Sequence, residues 1–160
     1  MLTNEQFSCL VKKYIDMVFR VALNYTKSVP DAEDVTQDVF FALFREKKPF
    51  ESEEHIRHWL IRVALNECKK WHRSPWRRHI SFEEYAATMP QTSERDREVL
   101  RAVMALPRKY RLPIYLHYYE GYSTAEIGEL LKIPKGTVCT NLSRGREMLK
   151  LNLQEGEVDE

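Results

Sequence analysis

The chain has 160 residues, 43% of them hydrophobic, 31% charged and only 5 glycine, which suits one ordinary domain or two small helical ones and disfavours a turn-rich all-β fold. The formal net charge of +1 excludes a uniformly basic or acidic protein, yet residues 55–80 carry seven Lys/Arg against one Glu and residues 99–150 carry nine against four. Two basic segments set between acidic ones point to two anion-facing surfaces.

In chain order, Phe7, Leu10, Val11, Tyr14, Val18, Val21, Ala22 and Tyr25 recur at helical spacing, with a Thr3/Gln6 capping box ahead of them. Pro30 suits the first turn of a second helix, from Asp31 to about Lys47. Its acids Asp31, Glu33 and Asp34 sit where the helix dipole favours them, and Val35, Val39, Ala42 and Leu43 form its buried stripe. Pro49 ends it. Ser52, Glu53 and Glu54 open a third helix with the stripe Ile56, Trp59, Leu60, Val63, Ala64 and Trp71. Three helices with short connections make a compact bundle.

The helical period lapses from Ser74 to about Ser93, between Pro75 and Pro90, which reads as a linker with a short helical turn around Phe82 to Tyr85. It resumes at Val99, Val103 and Leu106. A helix from about Arg108 to Glu120, bent near Pro113, stops at Gly121. Ser123 and Glu126 cap a short helix with an Ile127, Leu130 and Leu131 face. Lys132-Ile133-Pro134 forms a tight turn. A last helix, from about Lys135 to Lys150, turns Val138, Leu142 and Leu149 inward. The tail LQEGEVDE has the composition of a disordered segment. The expected fold is all-α, with two small helical domains at 1–74 and 95–152, a linker at 75–94 and an acidic tail at 153–160.

Helix, tight turn, helix is the geometry that stands a second helix in a DNA major groove. The polar face of that helix carries Lys135, Thr137, Thr140, Asn141, Arg144 and Arg146. Asn bonds bidentately to adenine, Arg to guanine or phosphate. The backbone N–H groups of Gly136 and Thr137, at the helix start, suit a phosphate. No nucleophile cluster, metal-tied carboxylate pair or phosphate-binding glycine loop is present, so no catalysis is expected. His55 and His58 lie three apart but lack a third ligand at a defined spacing, so no metal or cofactor is expected. Cys9, Cys68 and Cys139 are odd in number and far apart, which fits a reducing cytoplasm. No apolar run approaches membrane-helix length and the N-terminus lacks signal-peptide order, so a cytoplasmic protein without membrane insertion is expected.

The segment EGYSTAEIGELLKIPKGTVCTNLSRGREML resembles region 4 of bacterial RNA polymerase sigma factors, nearest the extracytoplasmic-function (ECF) group of the sigma-70 family. DAEDVTQDVFFALFRE resembles the region 2 helix that docks on the polymerase clamp, and HIRHWLIRVALNECKKWHR the region 2 helix that handles the −10 element. The resemblance spans roughly residues 5–73 and 96–150, in the order and without the intervening domain that mark that group. It implies a sigma factor that binds the polymerase core, directs it to promoter DNA through −10 and −35 elements, and is held by an anti-sigma factor. The −35 contacts fall on Lys135, Gly136, Thr137, Cys139, Thr140, Asn141, Arg144 and Arg146, and the −10 contacts on Asn66, Lys69, Lys70 and Arg73. Core binding falls on Glu33, Asp34, Gln37, Asp38, Phe41 and Arg45. The chain departs from the group's pattern at Cys139, Asn141, Lys70 and Leu65.

Strand opening asks for cations and stacking aromatics. Arg57, Arg62, Lys69, Lys70, Arg73, Arg77 and Arg78 supply the first, with Trp59, Trp71 and Trp76 interleaved. Trp59, on the apolar stripe, is expected in the core; Phe41 taken by itself reads the same way. The loop around Lys47 to Ser52 resembles the place where the group captures an unstacked −10 base. The rival readings are a helix-turn-helix regulator acting without polymerase, as a homodimer on palindromic sites, a nucleic-acid enzyme with a helix-turn-helix head, and a sigma mimic that binds without activating.

Overall fold

A computed structural model describes residues 1–71, 82–86 and 93–158. The chain divides into two compact units, Met1–Ile80 and Ser81–Glu160. The described residues form α-helices and no strand: α1 (Asn4–Thr26), α2 (Val29–Arg45), α3 (Glu53–Trp71), α4 (Phe82–Ala86), α5 (Glu94–Met104), α6 (Arg108–Tyr118), α7 (Thr124–Leu131) and α8 (Lys135–Val158).

In the first unit α1, α2 and α3 pack pairwise around one core. The Thr3/Gln6 capping box forms as its spacing predicts, and each such cap contributes about 1 kcal/mol. Lys27, left-handed at φ 55°, ends α1. Ser28 then caps α2, with Pro30 in the first turn, so the junction is a sharp corner. Ser52 Oγ accepts from the His55 N–H at 3.0 Å and starts α3. Val18, Val21, Leu23, Val35, Val39, Leu43, Leu60, Ile61 and Ala64 are wholly buried. A side chain of valine or leucine size contributes about 1.5–3 kcal/mol on such burial. Tyr14 on α1 donates its hydroxyl to Glu53 at the start of α3, where Lys13 also pairs with that carboxylate at 3.0 Å.

The stripe of α3 differs from the expected one. The buried residues are Leu60, Ile61, Ala64, Leu65 and Cys68, while Ile56, Trp59 and Val63 are half-buried. This helix has apolar residues on more than half its circumference, so periodicity left the rotation ambiguous. Packing against both α1 and α2 selects the aliphatic side and turns Trp59 outward.

In the second unit α8 packs against α5, α6 and α7, and α6 also touches α5 and α7. Arg111, 3% exposed, donates to the Leu106 carbonyl at 2.8 Å and fastens the α5–α6 corner. The Ser123/Glu126 capping box opens α7, and Lys132 at φ 59° closes it. A Cβ on Gly128 would lie 2.8 Å from the Ile133 carbonyl oxygen, so the missing side chain lets the turn fold back on α7. Val138 and Leu142 are buried; Leu149 is only half-buried. α8 does not stop near Lys150, and the segment expected to be disordered is helical to Val158. Leu151, Asn152, Leu153 and Gln154 contain no breaker, so the helix propagates although acids follow. The predicted sites at Arg73 and Trp76, and most of the predicted linker, lie outside the described residues.

Candidate nucleic-acid and partner interfaces

Pro134 supplies the first acceptor of α8, its carbonyl taking the N–H groups of Thr137 at 3.0 Å and Val138 at 3.1 Å. Thr137 N–H is therefore spent inside the helix, which corrects its expected availability to a phosphate. The N–H groups of Lys135 and Gly136 precede the first intrahelical bonds and belong to the positive end of the dipole. Buried Val138 and Leu142 orient the helix, so that Lys135, Gly136, Thr137, Cys139, Thr140, Arg144 and Arg146 are exposed and Asn141 is half-exposed. Thr140 turns its hydroxyl back to donate to the Gly136 carbonyl at 3.0 Å, and Arg146 donates to the Tyr118 hydroxyl at 2.9 Å. Arg146 is thereby tied to α6 rather than free on the reading face. Ser143, one turn beyond Thr140, is exposed too, and an uncharged serine gives no charge signal that would mark it in the sequence.

The end of α3 carries exposed Asn66, Lys69 and Lys70. Lys70 pairs with Glu67 at 3.0 Å on the same helix, which moderates its charge. On α2, Glu33, Asp34, Gln37, Phe41 and Arg45 are exposed and Asp38 half-exposed. Phe41 is 54% exposed, so the core reading of that residue is wrong.

Beside that face a groove of about 890 Å³ opens between α1 and α2, lined by Phe7, Ile15, Phe40, Phe41 and Phe44 together with acidic Asp16, Glu33 and Asp34. Ile15 and Phe44 are 39% and 51% exposed, and Phe7 meets Phe44 edge-on at 5.3 Å. The sequence held a signal for this. Phe40 and Phe41 are adjacent on a helix, so one of them must leave the core. A second pocket, of about 510 Å³, is lined by Glu46, Lys48, Pro49, Phe50, Glu51, His55, Trp59 and Arg62. Phe50 sets its ring edge-on to Trp59 at 5.5 Å and to His55 at 5.2 Å. His55 Nδ1 accepts from the Glu51 N–H at 3.1 Å. Trp59 thus lines a cavity instead of filling the core. Among the described residues no His, Cys, Asp or Glu cluster could hold a metal ion, and no helix is long and apolar enough to cross a membrane.

The sequence profile described as Sigma-70 region 2 matches residues 10–78, and that described as Sigma-70, region 4 matches residues 96–149. The chain is 28% identical to the ECF RNA polymerase sigma factor SigW of Bacillus subtilis strain 168, over 94% of this chain and 90% of that one. It is 29% identical to the ECF RNA polymerase sigma-E factor of Escherichia coli K12, over 92% and 86%. Among solved structures, the sigma factor RpoE in complex with the anti-sigma factor NepR, from Bartonella quintana, superposes with a TM-score of 0.71 at 19% identity, covering 92% of this chain and 96% of that one. CnrH in complex with the cytosolic domain of CnrY gives 0.66 at 23%, covering 96% and 90%. These two likenesses are of fold.

Proposed function

Since the chain belongs to the sigma-70 family, as a factor of ECF type, we propose a division of labour among its surfaces. The chain is no enzyme; it binds RNA polymerase core, recognises promoter DNA and directs initiation. The domains are taken as 1–74 and 95–152, joined by a linker at 75–94.

In this reading α8 enters the major groove of the −35 element. Lys135, Gly136 and Arg144 hold phosphates, and Thr137, Cys139, Thr140, Asn141 and Ser143 lie toward base edges. Arg146, engaged with Tyr118, buttresses the helix. Asn66, Lys69, Lys70 and Arg73 track the −10 strand, and the Phe50/Trp59 pocket receives an unstacked base. The polymerase core docks on the α2 face, its contacts being Glu33, Asp34, Gln37, Asp38, Phe41 and Arg45. The adjoining apolar groove is the surface an anti-sigma factor would cover in competition. The site of action is the cytoplasm.

One observation carries the reading: a reading helix with an open cationic face and an acidic, phenylalanine-bearing helix face occur in one chain. A polymerase-independent regulator has no use for the second surface. Purified chain with core polymerase should start transcription at fixed positions on cognate DNA. Arg144→Ala and Lys135→Ala should weaken −35 binding and lower its salt dependence, whereas Asn141→Ala should change base preference. Absence of core binding at modest salt would remove the sigma assignment of these surfaces.

A further inference from the structure

Within the second unit α6 and α8 approach closely at Gly145, where a Cβ would meet Ile114 Cδ1 at 2.5 Å. Tyr118 lies one turn beyond Ile114 on α6, and Arg146 directly follows Gly145 on α8. The approach brings the two side chains together, and Arg146 donates to the Tyr118 hydroxyl at 2.9 Å. The Tyr118 ring is steadied in turn: it meets His117 edge-on at 4.8 Å, and His117 Nδ1 donates to the Tyr122 carbonyl at 2.8 Å. Both members of the pair still face water. Tyr118 is 54% exposed, Arg146 is exposed, and among the described residues neither meets a carboxylate. A neutral hydroxyl fixes the guanidinium without cancelling its charge, whereas a carboxylate would do both. Residues advance about 100° each around a helix, so Arg146 lies about 200° from Arg144, on the opposite flank of α8. Lys135, about three turns earlier, shares the Arg146 flank.

We propose that Arg146, held in place by Tyr118, contacts a backbone phosphate on the strand opposite the one that Arg144 touches, so that α8 grips both walls of the major groove. Tyr118 is the positioning residue for that contact, and it lies on α6, outside the helix-turn-helix. The inference rests on the assignment of α8 to duplex DNA. A helix seated in the major groove has one sugar-phosphate backbone along each side, so cations on its two flanks meet different strands. The buttress then serves binding as well as folding. A guanidinium already fixed in place loses less side-chain freedom when a phosphate arrives. Bonded to phosphate alone, the contact adds affinity and register without reading sequence.

The test uses the full chain bound to core polymerase and a duplex that this complex selects from randomised DNA, with affinity followed across a salt series. Arg146→Ala should reduce the slope of log affinity against log salt by about one and leave the ranking of selected sequences unchanged. Arg146→Lys, which keeps the charge, should restore the slope. Tyr118→Phe should lower affinity about fivefold, and should have no further effect in an Arg146→Ala background. Single neutral methylphosphonates placed in turn along both strands should erase the wild-type advantage over Arg146→Ala at a position on one strand, and the advantage over Arg144→Ala at a position on the other. An unchanged slope for Arg146→Ala overturns the contact even where the melting midpoint falls, because the arginine is then a buttress alone. A Tyr118→Phe loss of equal size in both backgrounds overturns the positioning role, and two sensitive phosphates on the same strand overturn the two-walled grip. A wild-type complex that selects no sequence overturns the DNA assignment of α8 and the inference with it; selection by wild type with an unaltered Arg146→Ala slope overturns the inference alone.

Discussion

Phe41 is 54% exposed on a helix face shared with Glu33, Asp34 and Gln37. An aromatic ring left in water beside carboxylates gives the folded chain nothing, so its gain comes from whatever covers it. Phe41→Ala should therefore leave the unfolding free energy within about 0.5 kcal/mol of wild type. It should weaken binding to polymerase core by at least about tenfold, measured by competition between the two forms for limiting core. A loss of stability without a loss of core binding would place the ring in the fold instead. Residues of this kind are hard to judge from sequence, because phenylalanine at helical spacing looks the same whether it faces a core or a partner. Trp59 shows the same ambiguity: it reads as core on its stripe, yet it lines a pocket with Phe50. By contrast Val138, Leu142, Ile127 and Leu130 were legible, since each sits on a helix with one apolar side only.

At the scale of elements, the local signals were the readable ones. The Thr3/Gln6 and Ser123/Glu126 boxes join residues three positions apart, and both form. Helix ends that depend on left-handed residues were less visible, because Lys27 and Lys132 occupy positions that usually take glycine. At Lys132 the lysine bears the steric cost of φ 59°. Lys132→Gly should then stabilise the second unit by about 1 kcal/mol, read as a higher denaturant midpoint with an unchanged slope. The first unit carries a pH-sensitive tie between elements. The hydroxyl of Tyr14, and then the ammonium of Lys13, hold the Glu53 carboxyl below its ordinary range. A lowered folded-state value means that the tie stabilises above the ordinary carboxylate pKa and is lost as pH falls through the folded one. The difference in melting midpoint between wild type and Glu53→Gln should be open at neutral pH and should close on acidification below the ordinary carboxylate range. A difference that widens on acidification would contradict the assigned ionisation.

For the whole molecule the pattern that matters is charge. The net of +1 conceals basic segments at 55–80 and 99–150, and the exposed cations of α3 and α8 belong to separate compact units. Lys69 on α3 and Lys135 on α8 share no helix and no packing unit, so neither can alter the other's local geometry. If both units hold the same DNA, each cation displaces its own counterion from its own phosphate. Lys69→Ala and Lys135→Ala should each reduce the salt slope of promoter binding by the polymerase-bound chain by about one, and together by about two. Their free-energy losses should add to within about 0.5 kcal/mol. A double variant no weaker than either single one would mean that the two cations never engage DNA in the same complex. Only one unit would then be anchored at a time, and the charge segregation would serve something other than two-point attachment.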